Sequence, residues 1–152
     1  NDSKKLSDKK RRELFDVICQ KALSFGIAFA TEQEIDRINI LQATFLAMAR
    51  AVSQLSQKPD LVLVDGNREP ELDVPVQTVV GGDGKSASIA AASILVKVTR
   101  DDVMIAAAGQ YPGYGFEVHK GYGTKRHYAA LEELGPCPLH RQSFLKKFYA
   151  GK

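Results

Sequence analysis

LVLVDG at Leu61–Gly66 and VVGGDGKS at Val79–Ser86 bound the stretch whose reading decides the fold. Leu61, Val62, Leu63 and Val64 form a short apolar run, β-branched at alternate places, with Pro59 and Asp60 before it and Gly66 after it. Such a run reads as a strand buried on both faces. Asp65 then stands where the strand leaves the core, where a carboxylate is not costly if it meets cations or donors. The run from Val74 to Val80, interrupted by Pro75, reads as a second strand and also ends at a glycine-flanked carboxylate, Asp83. A long apolar helix follows. Two carboxylates at two strand exits, beside a helix start, are a candidate site for a divalent metal. Each has an ordinary reading too: Asp65-Gly66 is a common turn dipeptide, and Asp83 in Gly-Gly-Asp-Gly is a common turn former. Gly84-Lys85-Ser86 raises a phosphate loop and, with it, a nucleotide phosphohydrolase. That loop requires a glycine where this chain has Val79, so the motif fails.

A chain of 152 residues is long enough for one domain with a core of its own. With 44% hydrophobic and 26% charged residues, it has the composition of an ordinary soluble globular protein. A net charge of +3 is compatible with a polyanionic partner without requiring one. Cys19 and Cys137 lie far apart and read as free cytosolic thiols rather than a disulfide or a metal site, which places the protein in the cytoplasm. No apolar run reaches bilayer length and no signal peptide is visible. The chain opens at Asn1 without methionine, which reads as residues before Asn1 having been lost or left out.

Working outward, Ser7 is a plausible cap for a helix over Asp8 to Ser24, with Leu14, Phe15, Val17, Ile18, Ala22 and Leu23 as its apolar stripe. Lys9, Lys10, Arg11 and Arg12 crowd its first turn against the helix dipole; they are either a solvated charged face or an anion contact. Phe25 to Ala30 reads as a strand. Thr31 with Glu34 forms a capping box for a short helix, and Asn39 to Leu55 is a second, strongly helical segment whose apolar residues read as core. The strand–helix–strand order implies a parallel or mixed sheet with helices packed on it. Ser86 to Arg100, with apolar residues nearly all round, reads as a largely buried helix. Asp101 and Asp102 follow as helix-end partners for Lys97 or Arg100.

Tyr111 to Tyr122 is rich in glycine and reads as a loop. It carries Tyr111, Tyr114, Phe116, His119, Lys120 and Tyr122, and Lys125, Arg126 and His127 follow it. Rings interleaved with cations suit a sugar-phosphate backbone; the plainer reading is an aromatic-anchored surface loop. His119 alone reads more readily as a hydrogen-bonded loop residue than as a metal ligand. A short helix from Arg126 to Leu134 stops at Gly135. Pro136 and Pro138 then make a rigid link to His140-Arg141-Gln142-Ser143-Phe144 and a basic tail.

Five segments, in order, carry a resemblance: NDSKKLS at Asn1–Ser7, VDGN at Val64–Asn67, GGDGKS with SIAAASILVKVTRD through Asp101, HKGYGTKRH at His119–His127 and LHRQSF at Leu139–Phe144. Jointly they resemble ribonuclease HII, the type 2 ribonuclease H, over nearly the whole chain. The resemblance implies an α/β fold: a ribonuclease H-like mixed sheet flanked by helices, with a small helical C-terminal part that we place at 103–152 of a single domain over 1–152. It implies an endonuclease that cuts RNA in RNA–DNA hybrids and cuts 5′ to a lone ribonucleotide in duplex DNA. It also implies Mg²⁺ or Mn²⁺ as cofactor, 5′-phosphate and 3′-hydroxyl products, a place in DNA repair, and a monomer. Of the family's four active-site carboxylates, Asp65 and Asp83 match the last two as catalytic and metal-binding residues. The first two belong to an Asp-Glu-x-Gly-Arg-Gly segment that this sequence does not contain. That segment would lie upstream of Asn1, together with the first strands of the sheet. The isolated chain is therefore expected to be inactive, as half of a metal site. Tyr122 resembles the tyrosine that stacks on the sugar after the scissile bond. Asn1, Ser3 and Lys4 resemble the phosphate-contacting turn, and Lys85, Lys120 and Arg141 are further backbone-contact candidates. Beside the metal-dependent nuclease stands a second reading, a module that grips hybrid duplexes without chemistry.

Overall fold

A computed structural model describes residues 3–150, without the side chains of Lys4 and Lys147. The chain divides after Val98 into two compact units, 1–98 and 99–152.

The first unit opens with a 3-10 turn, Ser3–Lys5, and the helix α1, Asp8–Lys21. The Ser7 side chain accepts from the Lys10 amide at the helix start, as a cap should. The cation-rich first turn is charge-compensated locally: Asp8 pairs with Arg12 at 3.0 Å and with Arg11 at 3.8 Å, and Lys10 pairs with Glu13 at 3.1 Å. The helix ends before Ser24, because Ala22 turns extended.

Phe25 to Ala30 forms no ladder, and this corrects the strand expectation. The segment lies along a helix instead. Ile27 N–H donates to Gln54 Oε1 at 3.0 Å, and Arg50 Nη1 donates to the Phe29 carbonyl at 2.8 Å. A β-rich composition gives a strand only where a partner strand is offered.

That helix is α2, Glu32–Ser53. Its start carries the capping box in both directions, Glu34 N–H to Thr31 Oγ1 and Thr31 N–H to a Glu34 carboxylate oxygen. Asn39, at φ 71° and ψ 166°, breaks it into the two helical segments read from the sequence. Asn39 Oδ1 accepts from Gln42 N–H at 3.1 Å, so the residue caps the second segment. Arg50 spans the break with a bidentate grip on Glu34, at 2.6 and 2.9 Å.

The strands β1, Val62–Asp65, and β2, Val76–Val79, pair in parallel, with Val62 opposite Val76 and Asp65 opposite Val79. A parallel connection ordinarily takes a helix; here residues 66–75 make it without one. Only Val64 is buried in β1, and Leu61 just before it is 47% exposed, so the expected two-sided burial is not met. Among the described residues the sheet has two strands, too few to cover both faces.

Gly81 then turns left-handed at φ 68° and starts a one-turn helix, α3, Gly82–Lys85. The long helix α4, Ala87–Gln110, follows and continues past the division at Val98. It runs beyond the expected end at Arg100, so Asp101 and Asp102 are helix-interior residues, Asp101 buried and Asp102 exposed. Ile89, Ile94, Leu95 and Val98 are buried while Val96, Val103 and Ile105 are exposed, so burial is one-sided rather than all round.

The second unit has its own core of Ala107, Tyr114, Phe116, Ala130, Leu131, Cys137 and Leu145. The expected loop contains a one-turn helix, α5, Phe116–His119. It is framed by Gly115 at φ 78° and Lys120 at φ 52°, left-handed positions that let a turn start and stop within a glycine-rich run. The next helix, α6, Lys125–Leu134, is capped by Thr124 and stops at Gly135. The basic tail is itself a helix, α7, Gln142–Ala150. It buries Leu145 and half-buries Phe148 in the unit's core. Cys19 and Cys137 are both free thiols.

Candidate active site

Asp65 ends β1, and its Oδ1 accepts from the Gly82 amide at 2.8 Å. Gly82 immediately precedes Asp83, so the two aspartates are brought to one turn at the ends of paired strands. The turn is crowded. A Cβ on Gly82 would lie 2.5 Å from Ile89 Cδ1 and 3.4 Å from Asp65 Oδ1. Only glycine fits there without moving a neighbour.

Asp65 is exposed; Asp83 is buried. The Asp83 carboxylate is held by Ser3, whose hydroxyl donates to Oδ2 at 2.6 Å and whose amide reaches Oδ1 and Oδ2 at 3.2 Å each. These donations compensate a burial that would otherwise be costly. Ser3 itself is 3% exposed, so its side chain serves Asp83 rather than the surface. Sequence reasoning placed Ser3 in a phosphate-contacting turn and did not foresee this bond across the chain. Asn1 and the Lys4 side chain lie outside the described residues. Lys85 is exposed, and its ammonium donates to the Val80 carbonyl at 2.7 Å.

Two aspartates offer the hard oxygen donors that Mg²⁺ and Mn²⁺ prefer. Among the described residues no group of three or more His, Cys, Asp or Glu side chains is arranged to hold a metal ion. A cation here would be held by Asp65 and Asp83, with its remaining positions filled from elsewhere. A cleft lined by Val52, Leu55, Pro59, Leu72 and Val74, also on the first unit, contains neither aspartate.

The other candidates lie on the second unit. Tyr122 is 54% exposed, and the Arg100 guanidinium sits 4.7 Å from its ring centroid. Lys120 donates to the Glu117 carbonyl, and Arg141 lies 3.9 Å over the Phe144 ring. Beneath this surface three histidines cluster. His119 and His127 stack at 4.5 Å, and His127 Nε2 meets His140 Nε2 at 3.0 Å. His119 is a hydrogen-bonded residue, as expected: its Nε2 lies 2.7 Å from the Tyr114 carbonyl and its Nδ1 accepts from Gly121 N–H. Burial pushes His127 and His140 below the ordinary histidine value, as it penalises their charged forms. From the sequence Arg100 was read only as an ion-pair partner for Asp101 and Asp102, and the histidine pair was not singled out; its signal was three histidines confined to residues 119–140.

A family model described as Ribonuclease HII matches residues 1–147. The chain belongs to the ribonuclease HII family. Relatives named Ribonuclease HII agree in extent. That of Dechloromonas aromatica (strain RCB) is 59% identical over 95% of this chain and 74% of its own length. That of Endomicrobium trichonymphae is 57% identical over 95% and 69%. That of Clostridioides difficile (strain 630) is 55% identical over 96% and 57%. The crystal structure of the ribonuclease H2 from Pyrococcus horikoshii OT3 matches with a TM-score of 0.81 at 22% identity, covering 99% of this chain and 82% of that one. At that identity the likeness speaks for the fold, which is the ribonuclease H-like α/β fold read from the sequence. Membership in the ribonuclease HII family makes the reaction class that of an endoribonuclease, a nuclease within the hydrolases.

Proposed function

We propose that this ribonuclease HII chain belongs to an enzyme that hydrolyses the RNA strand of RNA–DNA hybrids and cuts 5′ to single ribonucleotides in duplex DNA, leaving 5′-phosphates. The observation that carries the reading is the tie from Asp65 Oδ1 to the amide next to Asp83. Asp65 and Asp83 would supply oxygen ligands to Mg²⁺ or Mn²⁺. A pair of such cations, about 3.5–4 Å apart, supplies an activated water and charge neutralisation at the leaving oxygen. This chain's own residues do the positioning. Ser3 holds the Asp83 carboxylate, Gly82 fixes one oxygen of Asp65, and the exposed Tyr122 ring offers a stacking face for a sugar. Lys85, Lys120 and Arg141, with Lys4 and Asn1 at the chain start, would meet the phosphates. The two further acids implied by the resemblance are absent from this sequence, so the 152-residue chain by itself is proposed to bind and not to cut. We also propose a monomer, a cytoplasmic location, consistent with the two free thiols, and a role in DNA repair.

The test joins an Asp-Glu-x-Gly-Arg-Gly-containing segment to the chain and supplies Mg²⁺ with duplex DNA carrying one ribonucleotide. Cutting 5′ to the ribonucleotide is expected, and Asp65→Asn should abolish it. Wild-type cutting by the Asp65→Asn protein would remove the assignment. Cutting by the 152-residue chain alone would overturn the proposal that it binds without cutting.

A further inference from the structure

We infer that His127 and His140 form a hydrogen-bonded relay that positions Tyr122, the residue offered above for sugar stacking, and that the relay holds only while both rings are neutral. The inference rests on that reading of Tyr122 for its function, but its geometry stands alone. The Tyr122 carbonyl can only accept, and His127 Nδ1 lies 3.0 Å from it. His127 therefore carries its proton on Nδ1, and in the neutral ring Nε2 is an acceptor. The partner 3.0 Å away, His140 Nε2, must then be the donor. His140 Nδ1 is left with a lone pair, and the Cys137 amide donates to it at 2.9 Å; the Cys137 carbonyl, 3.2 Å from the same nitrogen, already accepts from the His140 amide at 3.0 Å. Each proton is assigned by the one before it. The order runs from the Cys137 amide through His140 and His127 to the Tyr122 carbonyl.

The arrangement grips Tyr122 at its backbone while Arg100 covers one face of its ring. The other ring face is left for a ligand, in keeping with the residue's 54% exposure. A proton added to His127 Nε2 would set two N–H groups against each other, and one added to His140 Nδ1 would oppose the Cys137 amide and could turn only to the Cys137 carbonyl 3.2 Å away, breaking the order of the relay. The groups facing the pair reinforce this. The His119 ring stacks on His127, Phe116 meets His127 edge to face and lies tilted against His140, Tyr114 lies 5.3 Å from His140, and Cys137 is buried. The charges at the rim, Arg126 and Glu117, are paired with each other at 3.7 Å.

Two amide substitutions separate positioning from space-filling. Asn at 127 places its NH₂ near the site of the histidine Nδ1; Gln places it near Nε2. His127→Asn should keep the bond to Tyr122, and His127→Gln should lose it. With ¹³C-labelled tyrosine, the Tyr122 ring signals should shift in His127→Gln and stay near wild type in His127→Asn. Lowering the pH should move the wild-type signals with a midpoint below 6.5, and that transition should vanish in His127→Asn. Equal Tyr122 signals in both variants would overturn the relay. So would a long-range ¹H–¹⁵N spectrum of the unsubstituted protein showing His127 protonated on Nε2, a measurement that needs no variant to fold. Fluorescence anisotropy with an RNA–DNA hybrid then reads the function. His127→Gln should bind about fivefold more weakly, the effect of one lost hydrogen bond, with His127→Asn close to wild type. If the unsubstituted chain fails to prefer hybrid over duplex DNA, the proposed function falls, while the tyrosine signals still decide the relay.

Discussion

Ser3→Ala removes one hydroxyl and should loosen the acidic turn measurably. The bond lost is 2.6 Å long and charge-assisted, and its acceptor Asp83 is buried. The two amide contacts left behind are 3.2 Å each and share one N–H between two oxygens, so they compensate poorly. Hydrogen bonds to charged groups contribute about 1.5–3 kcal/mol net. Asp83, 9% exposed, keeps a little access to water, which moves the expectation toward about 2 kcal/mol. For a chain of this length that corresponds to a fall in Tm of roughly 4–8 °C. Asp83→Ala also costs stability, because it strands the Ser3 amide and hydroxyl in a site with almost no solvent. The decisive quantity is the coupling between the two changes, measured by urea unfolding of both single variants and the double variant. Once Asp83 is gone, removing the Ser3 hydroxyl should cost little, so the coupling should be about 1.5–2 kcal/mol. Additive effects, with a coupling inside the roughly 0.5 kcal/mol expected of independent sites, would show that Ser3 does not hold the acid.

Asn39 sits at φ 71° and ψ 166°, a region nearly reserved for glycine, while its side chain caps the helix beyond it. Asn39→Gly should relieve about 1–3 kcal/mol of strain and lose only a few tenths from the cap, a net gain in Tm. Asn39→Ala keeps the strain and loses the cap, so it should lower Tm; matching signs for the two variants would contradict the account. Gly26→Ala would put a Cβ 2.2 Å from the Ala51 carbonyl oxygen, a backbone atom that cannot swing aside. It should cost about 3 kcal/mol in urea unfolding and expose the Ile27 amide to hydrogen exchange; a change under about 0.5 kcal/mol would mean that the Phe25–Ala30 segment does not lie on α2. The hydrogen bonds from Arg50 hold the Glu34 carboxyl at about 2, below its ordinary 4.5. Because the folded value is depressed, its stabilisation is present above pH 4.5 and is lost as the pH falls toward 2. Glu34→Gln should flatten the acid-unfolding curve in that window, and superimposable curves would refute it.

The sequence disclosed what local chemistry determines. Thr31 with Glu34 and Ser7 cap helices where their side chains predict, because a cap is settled within a few residues. Asp65 and Asp83 stood out because apolar runs end at them. Phe25–Ala30 misled because strand propensity describes a surface that fits a sheet and cannot say whether a neighbour exists. The one-turn helix α5 hid behind its glycines: left-handed Gly115 and Lys120 frame the turn that glycine content argued against. The basic tail carried a legible signal in Leu145 and Phe148, at helical spacing and now in the core, that its charge obscured. The Ser3–Asp83 bond and the His127–His140 contact were beyond reach. Pairing between side chains is set by tertiary geometry, and no periodicity encodes it.

Sheet register is what makes the candidate site possible. Asp65 pairs opposite Val79, so β1 ends level with the last residue of β2. The chain then has only Val80 and Gly81 in which to reverse before Gly82, whose amide donates to Asp65. Gly81 supplies the left-handed step, and Gly82 the close approach to Ile89. A slip of one residue in the pairing would send Asp65 to the opposite face, because side chains alternate along a strand. It would also carry the Gly82 amide out of reach. The buried Val64 resists that slip, since the same shift would expose it. The two acids therefore need no attraction for each other. Their meeting follows from a hydrophobic preference one residue away, and Ser3 then fixes the acid that burial alone would have destabilised.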